Sequence, residues 1–142
     1  MNHIILASHG HMAKGIKDTL NMIIGDAGGV KAFSSYRDED ENIREAVERE
    51  VKNNYETKDI YILTDIFGGS VNNELLALLK EYPDINMISG MNLPLVISIA
   101  TCDDISEEML EEFIKESRES IVNCNNLLKN LNNEGGEGLW LS

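Results

Sequence analysis

His9, Asp65 and the run Gly68-Gly69-Ser70 are the residues of this chain whose types and spacing can do chemistry together. His9 follows the short apolar run His3-Ile4-Ile5-Leu6-Ala7-Ser8 and is itself followed by glycine. A strand that stops in Ser-His-Gly presents its imidazole at the carboxyl edge of a sheet, where open α/β sheets collect ligands and chemistry. An imidazole placed there can serve as base, metal ligand or covalent nucleophile. A carboxylate beside it fixes its tautomer and stabilises its cationic form. Gly68-Gly69-Ser70, opening a helix, offers backbone N–H groups and a hydroxyl, which suit an oxyanion or a phosphate. Each feature alone has a plain structural explanation: an incidental strand-end histidine, a helix-capping aspartate, a tight glycine turn. Together they point to phosphoryl chemistry on His9.

The elements that must position these groups alternate between strand and helix. Apolar Met12, Ile16, Leu20, Ile23 and Ile24 recur at helical spacing after the first strand, and the Gly25–Gly29 cluster ends that helix. Val30 to Ser34 reads as a second strand, and Asp38 with Glu41 three positions on reads as the start of a second helix. Ile60 to Leu63 is a continuous apolar strand of the kind buried on both faces of a parallel sheet. A leucine-rich helix over Val71–Lys80 and a fourth strand over Ile85–Ile88 follow. Leu93–Ala100 fits a strand by its β-branched content and a helix by its early proline. Ser106 caps an amphipathic helix carrying Met109, Leu110, Phe113, Ile114 and Ile121. This alternation predicts an α/β fold: an open, doubly wound parallel sheet of four strands, order 2-1-3-4, with helices on both faces. In such a sheet the first and third strands are neighbours, so His9 and Asp65 face each other across the edge.

The bulk composition narrows the function classes. At 142 residues with 42% apolar content, the chain suits one soluble domain with a full core. The longest apolar stretch, Leu93 to Ala100, is far short of a membrane span, and the N-terminus enters a strand with no leader pattern, so the expected location is cytoplasmic. Cys102 and Cys124 follow no metal or redox spacing and read as small buried hydrophobes. A net charge of −13 argues against nucleic acid, which needs clustered lysine and arginine. The acids gather in Asp38–Glu50 and Asp103–Glu119, as solvated helix faces that could also steer a basic protein partner. Neither a P-loop nor a dinucleotide fingerprint occurs. Metal binding by His9 with His11 is disfavoured because residues two apart at a helix start rarely converge, and no cofactor is expected. His3 reads as a structural residue at the strand start. From Asn123 the chain turns rich in asparagine and glycine, which do not favour a continued helix, and the only tryptophan, Trp140, lies beyond the glycines.

With these residues assembled, the chain resembles the IIA component of the mannose-type sugar phosphotransferase system. The resemblance rests on Ser8-His9-Gly10, on Thr64-Asp65-Ile66-Phe67-Gly68-Gly69-Ser70-Val71-Asn72-Asn73 and on Gly90-Met91-Asn92-Leu93-Pro94, in that order at successive strand ends. It spans residues 1–124 as one domain and leaves 125–142 as a tail, flexible or docking. It implies a phosphocarrier in which His9 takes a phosphoryl group from phospho-HPr and passes it to a histidine of the IIB component, the membrane IIC/IID components handling the sugar afterwards. It further implies that Asp65 orients the imidazole, that Gly68, Gly69 and Ser70 receive phosphoryl oxygens, and that no metal takes part. Phe67, Met91 and Asn92 are expected to line the partner-docking edge. The family fold implies a homodimer that exchanges a fifth, antiparallel strand, for which Ser120–Cys124 is the candidate. A chain of this length leaves no room for a fused IIB, which is therefore expected on a separate polypeptide. Two departures stand out: Val71 replaces the usual proline, and Ile66 removes a possible phosphate-donating hydroxyl. The nearest rival is the phosphocarrier subunit of a phosphotransferase-dependent dihydroxyacetone kinase, with the same kind of fold and histidine; the glycine- and asparagine-bearing anchors favour sugar transport.

Overall fold

The computed structural model describes residues 2–26, 28–35 and 42–133. The elements run β1 (Asn2–His9), α1 (Met12–Ile24), β2 (Val30–Ser35), α2 (Ile43–Asn54), β3 (Asp59–Thr64), α3 (Ser70–Leu76), α4 (Leu78–Glu81), β4 (Asn86–Ser89), α5 (Leu93–Ala100), α6 (Glu107–Glu119) and α7 (Cys124–Asn133). The four strands form a parallel sheet in the order β2-β1-β3-β4, as the alternating pattern predicts. Ala7 pairs with Thr64 across β1 and β3, so the chain leaves the two strands at adjacent points of one edge.

Burial on both faces explains the continuous apolar strands. Ile4 and Leu6 of β1, with Tyr61 and Leu63 of β3, meet Ala13, Leu20, Leu95, Val96 and Ile99 on the α1/α5 side. Ile5 and Ala7, with Ile60 and Ile62, meet Val47, Val51, Val71, Leu75 and Leu78 on the α2/α3 side. Each fully buried leucine or isoleucine contributes about 1.5–3 kcal/mol. These two layers hold the central strands, and hence the site, rigidly.

The differences from expectation are local. The start of α2 expected at Asp38 and Glu41 lies outside the described residues; Asn42 caps the helix, its side chain accepting a hydrogen bond from the Arg44 N–H at 2.8 Å. Leu93–Ala100 is a helix, with Asn92 as its N-cap and Pro94 in its first turn, where no intrahelical N–H is required. The helix expected over Val71–Lys80 is two pieces meeting at Ala77. Ser106 caps α6 as expected, accepting from Met109 N–H at 3.1 Å, but α6 ends at Glu119, and Ile121 lies beyond it, exposed. The asparagine-rich segment is helical in α7: the Asn123 side chain caps it by accepting from Asn126 N–H at 3.2 Å, and Leu127 and Leu131 sit one turn apart. Ser120–Asn123, within the expected exchanged strand, forms a connection from α6 to α7 in the single chain, with Cys124 already helical. Neither cysteine is buried: Cys102 is half-buried and Cys124 exposed. Trp140 lies outside the described residues.

Candidate functional site

The last residue of β1 and the first residue after β3 meet at the carboxyl edge. His9 Nδ1 lies 2.8 Å from Asp65 Oδ2, and the same oxygen accepts the His9 backbone N–H at 2.9 Å. The other carboxylate oxygen accepts the Ile66 N–H at 3.0 Å. Burial alone would raise the Asp65 carboxyl, but the His9 backbone and imidazole hydrogen bonds, the histidine's charge and the Ile66 amide together hold it below its ordinary value. An ionised Asp65 accepts and cannot donate, so Nδ1 carries the proton and the lone pair of the neutral ring sits on Nε2. Ser70 Oγ lies 3.0 Å from Nε2, placed to donate its hydroxyl proton to that lone pair.

Local sequence explains how these groups converge. The Ser8 hydroxyl accepts the Ala13 N–H at 2.7 Å, and Gly10 N–H donates to Ser35 O at 3.1 Å, so the turn after His9 is pinned from both sides. Gly68 holds a φ of +80°, a conformation that glycine adopts without penalty. Gly69 serves by its lack of a side chain: a Cβ there would lie 2.7 Å from Ile66 Cγ2 and 3.4 Å from His9 Cε1. Its N–H donates to Ile66 O at 3.2 Å, closing the turn, and so is not available to a phosphoryl oxygen. Asn73 Nδ2 donates to Gly68 O at 3.2 Å and steadies the same turn.

The structure thus brings His9, Asp65, Gly69 and Ser70 together, with the imidazole 41% exposed and the aspartate side chain 11% exposed. Phe67 stands out at 81% exposure on this edge, beside an exposed Ile66, with Met12 also exposed at the start of α1. Met91, expected on the docking edge, is instead 3% exposed and belongs to the core on the α1/α5 side. Asn92 is half-buried, and its carboxamide is engaged in capping α5, accepting Leu95 N–H at 3.0 Å. Thr64 and Asn72, to which the sequence assigned no role beyond membership of the run Thr64–Asn73, have side chains that hydrogen-bond at 2.8 Å. What sets them apart in the sequence is a polar residue at the end of an apolar strand and another in the apolar face of the following helix. A depression of about 370 Å³ lined by Asn2, Ile24, Asp26, Lys58 and Asp103 lies at the opposite, amino end of the strands. The His9 edge is open, as a surface that meets macromolecules would be.

A profile of the PTS system fructose IIA component family matches residues 3–118. The chain belongs to that family, the mannose-type IIA components of the sugar phosphotransferase system. Among its relatives is the PTS system fructose-specific EIIA component of Bacillus subtilis, 24% identical over 132 residues, which cover 91% of this chain and 90% of that one. Two crystal structures share the fold closely. A Klebsiella pneumoniae protein, assigned as a phosphoenolpyruvate-dependent sugar phosphotransferase system permease, matches at TM-score 0.79 and 32% identity, over 89% of this chain and 93% of its own. The phosphotransferase system component EIIA of Streptococcus agalactiae matches at TM-score 0.74 and 30% identity, over 89% and 99%. A general phosphocarrier role within that system follows from membership of the IIA family. No helix among the described residues is long and apolar enough to cross a membrane.

Proposed function

We propose that this IIA protein carries a phosphoryl group on His9 Nε2, taking it from phospho-HPr and passing it to a histidine of a separate IIB component. The observation that carries this reading is the division of labour on the ring: Asp65 occupies Nδ1, while Nε2 meets the Ser70 hydroxyl on an imidazole that is 41% exposed. In the forward step the Nε2 lone pair attacks phosphorus. The Nε2–P bond forms as the donor's N–P bond breaks, and that bond's electron pair returns to the donor imidazole. The His9 ring keeps its Nδ1 proton, and Asp65 offsets the positive charge that develops on the ring. The Ser70 hydroxyl, released from Nε2, turns to a phosphoryl oxygen. With the Gly69 amide engaged in its turn, the Gly68 amide is the adjacent backbone donor for a second oxygen. Transfer to IIB reverses these steps, so the site needs orientation and charge compensation but no bound metal and no hydrolytic water.

Ile66 and Phe67 form the apolar lip against which HPr and IIB dock, while the acidic faces attract basic patches on the donor. Residues 1–124 make up the carrier unit in this reading, the working form is a homodimer in the cytoplasm, and IIC/IID receive the phosphoryl group only through IIB. Incubation with labelled phosphoenolpyruvate, enzyme I and HPr tests the proposal. Acid-labile, base-stable label on the wild type and none on His9→Ala is the expected result. Absence of label from both overturns the phosphocarrier reading, and label on both moves the site to another residue such as His11.

A further inference from the structure

We propose that Thr64 and Asn72 form a buried clamp that sets the height of α3 and so places the Ser70 hydroxyl on His9 Nε2. Thr64 is fully buried and Asn72 is 2% exposed, and the threonine hydroxyl donates to Asn72 Oδ1 at 2.8 Å. Thr64 is the last residue of β3, immediately before Asp65; Asn72 lies two residues into α3 from Ser70. One hydrogen bond therefore ties the strand that carries the carboxylate to the helix that carries the hydroxyl. The main chain of Thr64 adds to this: its carbonyl accepts the N–H groups of both Gly90 and Met91, at 3.1 and 2.9 Å. The strand end is thus fixed to the neighbouring loop on one side and to α3 beneath.

Burial makes the pair informative. Its neighbours on that face, Ile60, Ile62, Val71 and Leu75, are apolar, and a valine–leucine pair would fill similar space. Among the described residues, Asn72 Nδ2 is buried without a hydrogen-bonding partner, so the carboxamide is only partly satisfied there. A buried polar pair with an incomplete set of bonds adds little net stability, and replacing both members by apolar groups of like shape is close to neutral. What the pair supplies is direction: a hydrogen bond fixes the relative height of helix and strand, whereas apolar packing tolerates sliding. The 3.0 Å contact between His9 Nε2 and Ser70 Oγ crosses two elements, so a shift in that height would move it. Thr64 and Asn72 are accordingly positioning residues, acting through Ser70.

The catalytic consequence rests on the phosphocarrier reading, but the geometric claim is tested without phosphorylation. ¹⁵N spectra of the unphosphorylated full chain report the His9 Nε2 environment directly. Thr64→Val combined with Asn72→Leu should move the Nε2 resonance toward its position in Ser70→Ala, and should move it no further when added to Ser70→Ala. Thr64→Ser, which keeps the hydroxyl, should leave the resonance at its wild-type position. Thr64→Val alone, which keeps the strand's shape, gives the same test if the double variant does not fold. A resonance unchanged by loss of the clamp, or displaced equally when Ser70 is already alanine, overturns the proposal. Phosphoryl transfer from phospho-HPr should then fall by up to about 100-fold in the double variant, and by no more than in Ser70→Ala. If wild-type protein takes no phosphoryl group, the carrier reading falls, while the spectra still decide whether the clamp positions Ser70.

Discussion

Asp65 accepts three hydrogen bonds, two of them from His9, so one carboxylate fixes both the main chain and the ring of the histidine. Replacing it with alanine frees the ring to rotate and removes the compensating charge. Asp65→Ala should slow transfer from phospho-HPr by roughly 100-fold with an unchanged circular dichroism spectrum; transfer at full rate would remove Asp65 from the mechanism. Its depressed native pKa contributes stability above its unfolded value of 3.8, which is lost as pH falls through the lower native value, so Asp65 remains ionised throughout the neutral range. The meeting of His9 and Asp65 was legible in the sequence because a doubly wound sheet makes β1 and β3 neighbours. The Ser70–Nε2 contact was not, since it depends on how deeply α3 seats. Met91 was misplaced for a related reason: position in an edge loop does not tell which way a side chain turns, and this one turns into the core.

At the scale of elements, caps and ladder ends explain where sequence reading succeeded. Ser106 announced α6 because its hydroxyl does the capping, while Asn92 settles an ambiguous β-branched segment as helix by the same means. Asn92→Ala should cost about 1 kcal/mol in thermal or urea unfolding, the usual loss of an N-cap. Transfer kinetics that fall along with stability would restore a docking role to Asn92; unchanged kinetics would leave it a cap. The helix α7 was illegible because low intrinsic propensity argued against it, whereas a capping asparagine and leucines one turn apart favour it. His3 joins β1 to α2 through a 3.0 Å contact between its Nε2 and Glu50 Oε1. Burial, outweighing the attraction of Glu50, lowers its pKa below the ordinary 6.5. The neutral native ring therefore contributes stability that is complete above 6.5 and declines as pH falls below it. The midpoint of thermal unfolding should drop between pH 7 and pH 5, and His3→Gln should flatten that slope; an unaltered slope would assign it to other groups.

The whole molecule carries a net charge of −13, and α6 exposes Glu107, Glu108, Glu111 and Glu112 to solvent. An acidic carrier that meets a basic donor at an open edge gains its encounter rate from long-range attraction, which salt screens over about 10 Å at 0.1 M. Transfer from phospho-HPr should therefore slow by about tenfold or more as ionic strength is raised, through a lower association rate. A rate indifferent to salt would leave the acidic faces as solvation alone. The parallel sheet, its strand order and the edge that carries the site were all readable from the alternation of apolar strands and amphipathic helices. The homodimer, by contrast, was implied only by the family resemblance, and a single chain shows Ser120–Asn123 as a connection between helices.

In the proposed carrier step, His9 Nε2 bears the phosphoryl group while Nδ1 stays on Asp65. Combined ¹⁵N and ³¹P spectroscopy of the phosphorylated, histidine-labelled protein tests it most directly. The phosphorus should couple to Nε2 of His9, with Nδ1 still protonated. Coupling to Nδ1, or to a nitrogen of any other histidine, would rule out Nε2 of His9 as the carrier atom.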